Sequence, residues 1–143
     1  MSITILYFIN VIFLTLISTF FIGTKGTHIK KIINDMPISL IEDAIIKVNE
    51  QEIIDPHFDM KAIKKNINNY LIISLIGECE KYYISFCPYQ EIIEDDKKEY
   101  FFDMSDNIKH FQLHFSCKYY GDLVLNSYLR YSIENQGVIK DEY

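Results

Sequence analysis

Residues Ile3–Gly23 read ITILYFINVIFLTLISTFFIG, and no other stretch narrows the possible folds of this chain as much. The run carries no acidic or basic side chain, and Asn10 is its one strongly polar group. At about 1.5 Å of rise per residue, a helix of this length matches a hydrocarbon layer roughly 30 Å thick. Thr4, Thr15, Ser18 and Thr19 can return their hydroxyls to carbonyls of the same helix, so they do not oppose insertion. A cleaved signal peptide is the main competing reading. It would need a basic start, an apolar stretch of about 7–15 residues and small residues at the cut. Here no Lys or Arg precedes the run, and Phe20, Phe21 and Ile22 occupy its end. The pattern predicts an uncleaved single-pass span within residues 1–24, in contact with lipid through residues 3–23.

The remainder of the chain is different in kind. All 14 basic and 20 acidic side chains lie beyond Thr24, giving a net charge of −6 that argues against a protein built to hold a nucleic-acid backbone. An apolar share of 49% excludes a disordered chain, which could not offset the entropy of ordering. Lys25, Lys30 and Lys31 come soon after the span, and by the positive-inside rule they favour a cytoplasmic domain. The orientation stays open at this point.

Residues 25–37 form a basic juxtamembrane connector. Ile29, Ile32, Ile33 and Met36 recur at helical spacing there, so the span can continue into water until Pro37 stops it. Ser39 and Glu42 form an S-x-x-E capping box ahead of Ile41, Ala44, Ile45 and Val48, which predicts a helix over 39–51. Asp55-Pro56 reads as a loop. Asp59 then caps a helix whose face is Ala62, Ile63, Ile67, Tyr70 and Leu71, ending near Gly77.

Beyond it the period changes from 3.6 to 2. Tyr82, Ile84 and Phe86 alternate with Tyr83, Ser85 and Cys87 in a strand that Pro88 should close. Residues 89–99 start as a short strand and become a charged hairpin tip or loop. Phe111, Leu113, Phe115 and Cys117 mark a half-buried strand, YYGD at 119–122 turns the chain, and Leu123, Leu125, Leu129, Tyr131 and Ile133 form its partner. Asn135-Gln136-Gly137 should end the sheet, leaving residues 136–143 as an acidic, fraying tail. The expected fold class is α+β: an N-terminal transmembrane helix, two to three helices, then an antiparallel sheet of three to four strands, with a small domain over 38–135.

Signatures of catalysis are absent from the sequence. It contains no Walker loop, no G-x-G-x-x-G and no H-E-x-x-H. His110 and His114 would share a metal ion only on a helix, because four residues of strand separate them by about 13 Å. His28 and His57 lack companions in sequence. Asp55 and Asp59 are explained by a helix entry, and Glu94, Asp95 and Asp96 lack the spacing of a calcium loop. The three cysteines, Cys79, Cys87 and Cys117, contain no C-x-x-C. They read as small buried hydrophobes, with Cys87 and Cys117 able to pair if their strands adjoin. The expectation is no enzyme, no cofactor, no metal site and no catalytic residue.

The aromatic content is more informative: 11 Tyr and 10 Phe, with Tyr82, Tyr83, Tyr89, Tyr100, Phe101, Phe102, Tyr119, Tyr120, Tyr128 and Tyr131 all in the strand region. Two small helices can cover one sheet face, so a Tyr-rich opposite face is available to protein partners. In this plan the opening Ser2-Ile3-Thr4-Ile5, and Phe58-Asp59 through Ala62 to Tyr70-Leu71 followed by strands, resembles pilin-like proteins. The likeness is nearest to TadE-like minor pilins of tight-adherence pilus systems. Where such pilins carry a Glu early in the membrane helix, this chain has Ile-Leu-Tyr-Phe-Ile at 5–9. The resemblance implies an extracytoplasmic, membrane-anchored structural or assembly component of a surface or secretion apparatus. The alternative from the lysines is a cytoplasm-facing membrane adaptor or inhibitor that binds a protein partner.

Overall fold

A computed structural model describes residues 2–49, 52–134 and 137–142. The first helix, α1 (Ile3–Asn34), spans 32 residues, about 48 Å. It passes without a break from the apolar run into the stretch expected to be a connector. Its first part is apolar and stands free of the rest of the chain. By length and composition it can cross a membrane, a property that a signal sequence shares. Thr15 and Thr19 donate to backbone carbonyls one turn back, at Val11 and Ile12 and at Thr15 and Leu16, so their hydroxyls are satisfied within the helix. In the second part Gly26, Ile29 and Ile33 form a buried stripe.

Pro37 stops α1 as expected, but the capping box does not form. α2 (Ser39–Glu42) is a single turn with Ile38 at its N-cap and no side-chain cap bond. The expected helix over 39–51 is replaced by a hairpin, β1 (Ile45–Asn49) paired with β2 (Glu52–Phe58). Ile45, Ile46 and Val48 fit a helical stripe and a pleated strand equally well, and their β-branching favours the strand. Residues 50 and 51 lie outside the described residues. Asp55-Pro56, expected in a loop, belongs to β2. Pro56 is tolerated because this small sheet has two edge strands and because the register slips between Ile46 and Val48, opposite it.

α3 (Met60–Ser74) begins as expected, with the Asp59 carboxylate accepting from the amides of Lys61 and Ala62 at 3.1 and 3.2 Å. Ile63, Ile67 and Leu71 form its buried face. It runs antiparallel to α1, with the Tyr70 hydroxyl donating to the Ile32 carbonyl.

The main sheet has five antiparallel strands in the order β4-β3-β5-β6-β7, so the two sheets together hold more strands than the three or four expected. β3 (Lys81–Glu94) does not end at Pro88. Residues 81–88 pair with β5 (His110–Tyr119), whereas residues 89–94 pair with β4 (Lys97–Phe102). Pro88 sits where the partner changes, and its carbonyl accepts from the Asp103 amide at 3.0 Å. Its missing donor therefore costs no bond within a continuous ladder. β6 (Leu123–Glu134) pairs with β5 along its length. The tail that was expected to fray is a strand, β7 (Gly137–Glu142), paired to β6, because Val138 packs against the core and Lys140 donates to the Asn34 carbonyl. Residues 135 and 136, expected to end the sheet, lie outside the described residues.

The core lies between one sheet face and the helices. Phe111, Leu113, Phe115 and Cys117 of β5 and Leu129 and Tyr131 of β6 meet Ile29 and Ile33 of α1 and the buried face of α3. Phe58 closes the end beside β1 and β2, edge-on to Phe111 at 5.0 Å.

Candidate interaction surface

Strand alternation sends the tyrosines to two different faces. Tyr119 and Tyr131 enter the core, and Tyr82 stacks on Phe115 over its edge. Tyr83, Tyr89, Tyr100 and Tyr128 lie on the opposite face, and Tyr120 lies in the β5–β6 turn. The outer face carries organised aromatic pairs. His114 and Tyr128 are directly opposed across β5 and β6, and their rings stack at 4.4 Å, 4° from parallel. The His114 ring also bonds the Asn126 side-chain oxygen at 3.1 Å.

A second group gathers around Tyr89. Its ring stacks on His110 at 5.4 Å and meets Tyr100 edge-on at 5.5 Å. The Arg130 guanidinium lies 4.4 Å from the Tyr100 ring centre and 5.5 Å from that of Tyr89, a cation–π arrangement. Burial raises the Tyr89 hydroxyl above the usual phenol range, opposed by a hydrogen bond from Ser132 and the charge of Arg130. The phenol is therefore neutral across the physiological range and serves as a packing and hydrogen-bonding group.

Beyond this group the β3–β4 hairpin projects past the end of β5. Its two-residue turn is Asp95-Asp96, both at positive φ (50° and 61°), the conformation that aligns a tight hairpin. Every residue of β4 is exposed, and Ile93, Phe101, Phe102 and Met104 present apolar surface there. Lys98 and Glu91 pair across the hairpin at 2.8 Å, which holds the Glu91 carboxyl below its usual range. At the hairpin base, burial tends to raise the Asp103 carboxyl, but bonds from Ser105 and Gln90 outweigh it and the net shift is downward. The carboxylate thus ties the return of β4 to the following loop.

The cysteines depart from the expectation of three buried, unpaired thiols, and the pair that forms is not Cys87 with Cys117. Cys79 and Cys117 form a disulfide, with Cα atoms 5.8 Å apart, and Cys87 is a free, exposed thiol. Cys87 and Cys117 do sit on adjacent strands, but Cys87 opposes Gln112 and points to the outer face, whereas Cys117 points into the core. The missed signal is Cys79, just before β3, where the Glu80 amide donates to the Lys118 carbonyl and brings position 79 level with the end of β5.

The remaining polar residues disperse. His28 faces Glu78 at 3.7 Å, His57 bonds the Asp55 carbonyl, and Asp55 pairs with Lys109 at 3.1 Å. Glu94 precedes the hairpin turn formed by Asp95 and Asp96. Among the described residues no group of three His, Cys, Asp or Glu side chains converges to hold a metal ion. Comparison with protein-family models, curated proteins and solved structures finds no match to this chain.

Proposed function

We propose that this chain is a single-pass, membrane-anchored structural or assembly component, with its folded domain outside the cytoplasm as part of a surface or secretion apparatus. The observation that carries the reading is the continuity of α1. One unbroken helix is apolar and free in its first part and built into the domain core through Gly26, Ile29 and Ile33 in its second. Neighbouring anchors that pack side by side, through small residues such as Thr15, Ser18 and Thr19, would set the positions of their domains directly. A pilin-like component is the most concrete form of this reading. The Cys79–Cys117 disulfide supports an extracytoplasmic domain, since such bonds persist in oxidising compartments. The hairpin of β3 and β4, with the Tyr89–Tyr100–Arg130 group at its base, offers the Tyr, Phe and Arg side chains favoured at the centres of protein interfaces.

The second reading, a cytoplasm-facing adaptor or inhibitor, rests on Lys25, Lys30 and Lys31, of which Lys30 and Lys31 are exposed. Cys87 separates the two. A membrane-impermeant maleimide applied to intact cells should label it without reduction if the domain is outside. Labelling only after permeabilisation would overturn the surface-assembly reading and leave the adaptor.

A further inference from the structure

We infer that the end of the domain formed by the last turn of α3 and the β5–β6 turn sits in the lipid headgroup layer, giving the protein a second point of contact with the bilayer. The inference rests on the reading that Ile3–Gly23 crosses the membrane. Its substance is a matter of levels along α1. The headgroup layer adds about 5–8 Å on each side of the hydrocarbon, which is three to five residues of helix. Thr24 to His28 occupy that depth, and the domain is already present there.

Three contacts establish the level. The Lys25 ammonium lies 3.5 Å from the Gly77 carbonyl and 4.8 Å from the centre of the Tyr120 ring. Gly26 approaches the Tyr119 hydroxyl so closely that a Cβ built at position 26 would lie 2.7 Å from it. Tyr120 also lines an open groove with Ser18, Phe21 and Ile22, residues inside the apolar run itself. A domain fastened this low on the helix has no room to stand clear of the headgroups.

The chemistry of this end suits that position. Ile72, Ile73 and Ile76 lie exposed at the end of α3, Ile76 at 74%, and Tyr120, Leu123 and Val124 are exposed at the β5–β6 turn. Ile72 and Ile73 lie on the last turn of α3 and Ile76 in the turn that follows Ser74, so all three crowd the same end of the element. Lys25, Lys81 and Lys118 are balanced by Glu78, Glu80 and Asp122 at the same end. A near-neutral rim with projecting Ile, Val and Tyr fits the interface of a bilayer by apolar and aromatic contact, with lysine stems reaching outward. The consequence is orientation. With both α1 and this edge engaged, β3 carries the hairpin away from the bilayer over its 14 residues, about 46 Å.

The chain contains no Trp, so single introduced indoles report without background. The full chain is reconstituted into phosphatidylcholine vesicles with and without brominated acyl chains. Phe13→Trp marks the span, Tyr120→Trp and Ile76→Trp mark the proposed edge, and Tyr100→Trp marks the distal hairpin. Bromine should quench the Phe13→Trp variant and both edge variants, the latter less strongly because their indoles sit at headgroup depth, and leave Tyr100→Trp unchanged. Quenching of Phe13→Trp with neither edge variant quenched would overturn this inference alone, whether that edge meets water or protein. Failure to quench Phe13→Trp would remove the span, and this inference with it.

Discussion

Gly26 illustrates how one missing side chain positions a domain. It lies in the interior of α1, where glycine is a poor helix former, and the Tyr119 hydroxyl fills the space its Cβ would take. Gly26→Leu should destabilise the domain by about 1–3 kcal/mol through overpacking. The sign for alanine depends on the partner. In the parent chain Gly26→Ala forces the buried tyrosine to shift and should lower the melting temperature. In a Tyr119→Phe background the same change should raise stability by roughly 0.5–1 kcal/mol through helix propensity. Equal effects in both backgrounds, measured by thermal unfolding in detergent, would refute the packing account.

At the scale of elements, the outer part of the β3–β4 hairpin draws little support from the rest of the fold. It projects beyond β5, and its turn places two consecutive aspartates at positive φ. Replacing Asp95-Asp96 by Asn-Gly should stabilise it by about 0.5–1 kcal/mol, because those residues adopt this turn at lower cost. Slower amide exchange over residues 89–94 would be the readout, and unchanged exchange would count against a turn-limited hairpin. The charges of Lys97, Lys98 and Glu99 along β4 discourage edge-to-edge pairing with another strand, even though Tyr100, Phe101 and Phe102 would favour association.

At the scale of the molecule, the fit of Tyr119 against Gly26 and the Cys79–Cys117 bond across 38 residues of sequence both hold the sheet to the end of the helices nearest the apolar run. In the chain-entropy account a closed loop of that length contributes about 4 kcal/mol. Alkylation of the denatured, unreduced protein should therefore modify Cys87 alone, and Cys79→Ala with Cys117→Ala should lower stability by a few kcal/mol. Modification of all three cysteines in protein taken from its native membrane would count against an oxidising compartment and weaken the extracytoplasmic reading.

Local signals alone determined several features. The uncharged run at 3–23 required a helix able to cross a membrane, Asp59 and the Ile63–Ile67–Leu71 spacing specified α3, strict alternation specified β5, and a looser alternation specified β6. These patterns are legible because a single period and a single cap decide them. The stretch after Ser39 was ambiguous because its apolar residues suit both periods, and only pairing with residues 52–58 makes it a strand. Pro88 ends a strand in any local reading, yet the exchange of partners from β5 to β4 lets β3 run through it. The tail becomes β7 only because the edge of β6 is there to receive it. The same holds for the candidate surface. Aromatic richness was plain in the sequence, whereas the assignment of each tyrosine to core, outer face or the β5–β6 turn, and of Cys117 to Cys79, depends on register. Register is a relation between strands distant in sequence, and a slip of one residue would exchange every side chain between the two faces.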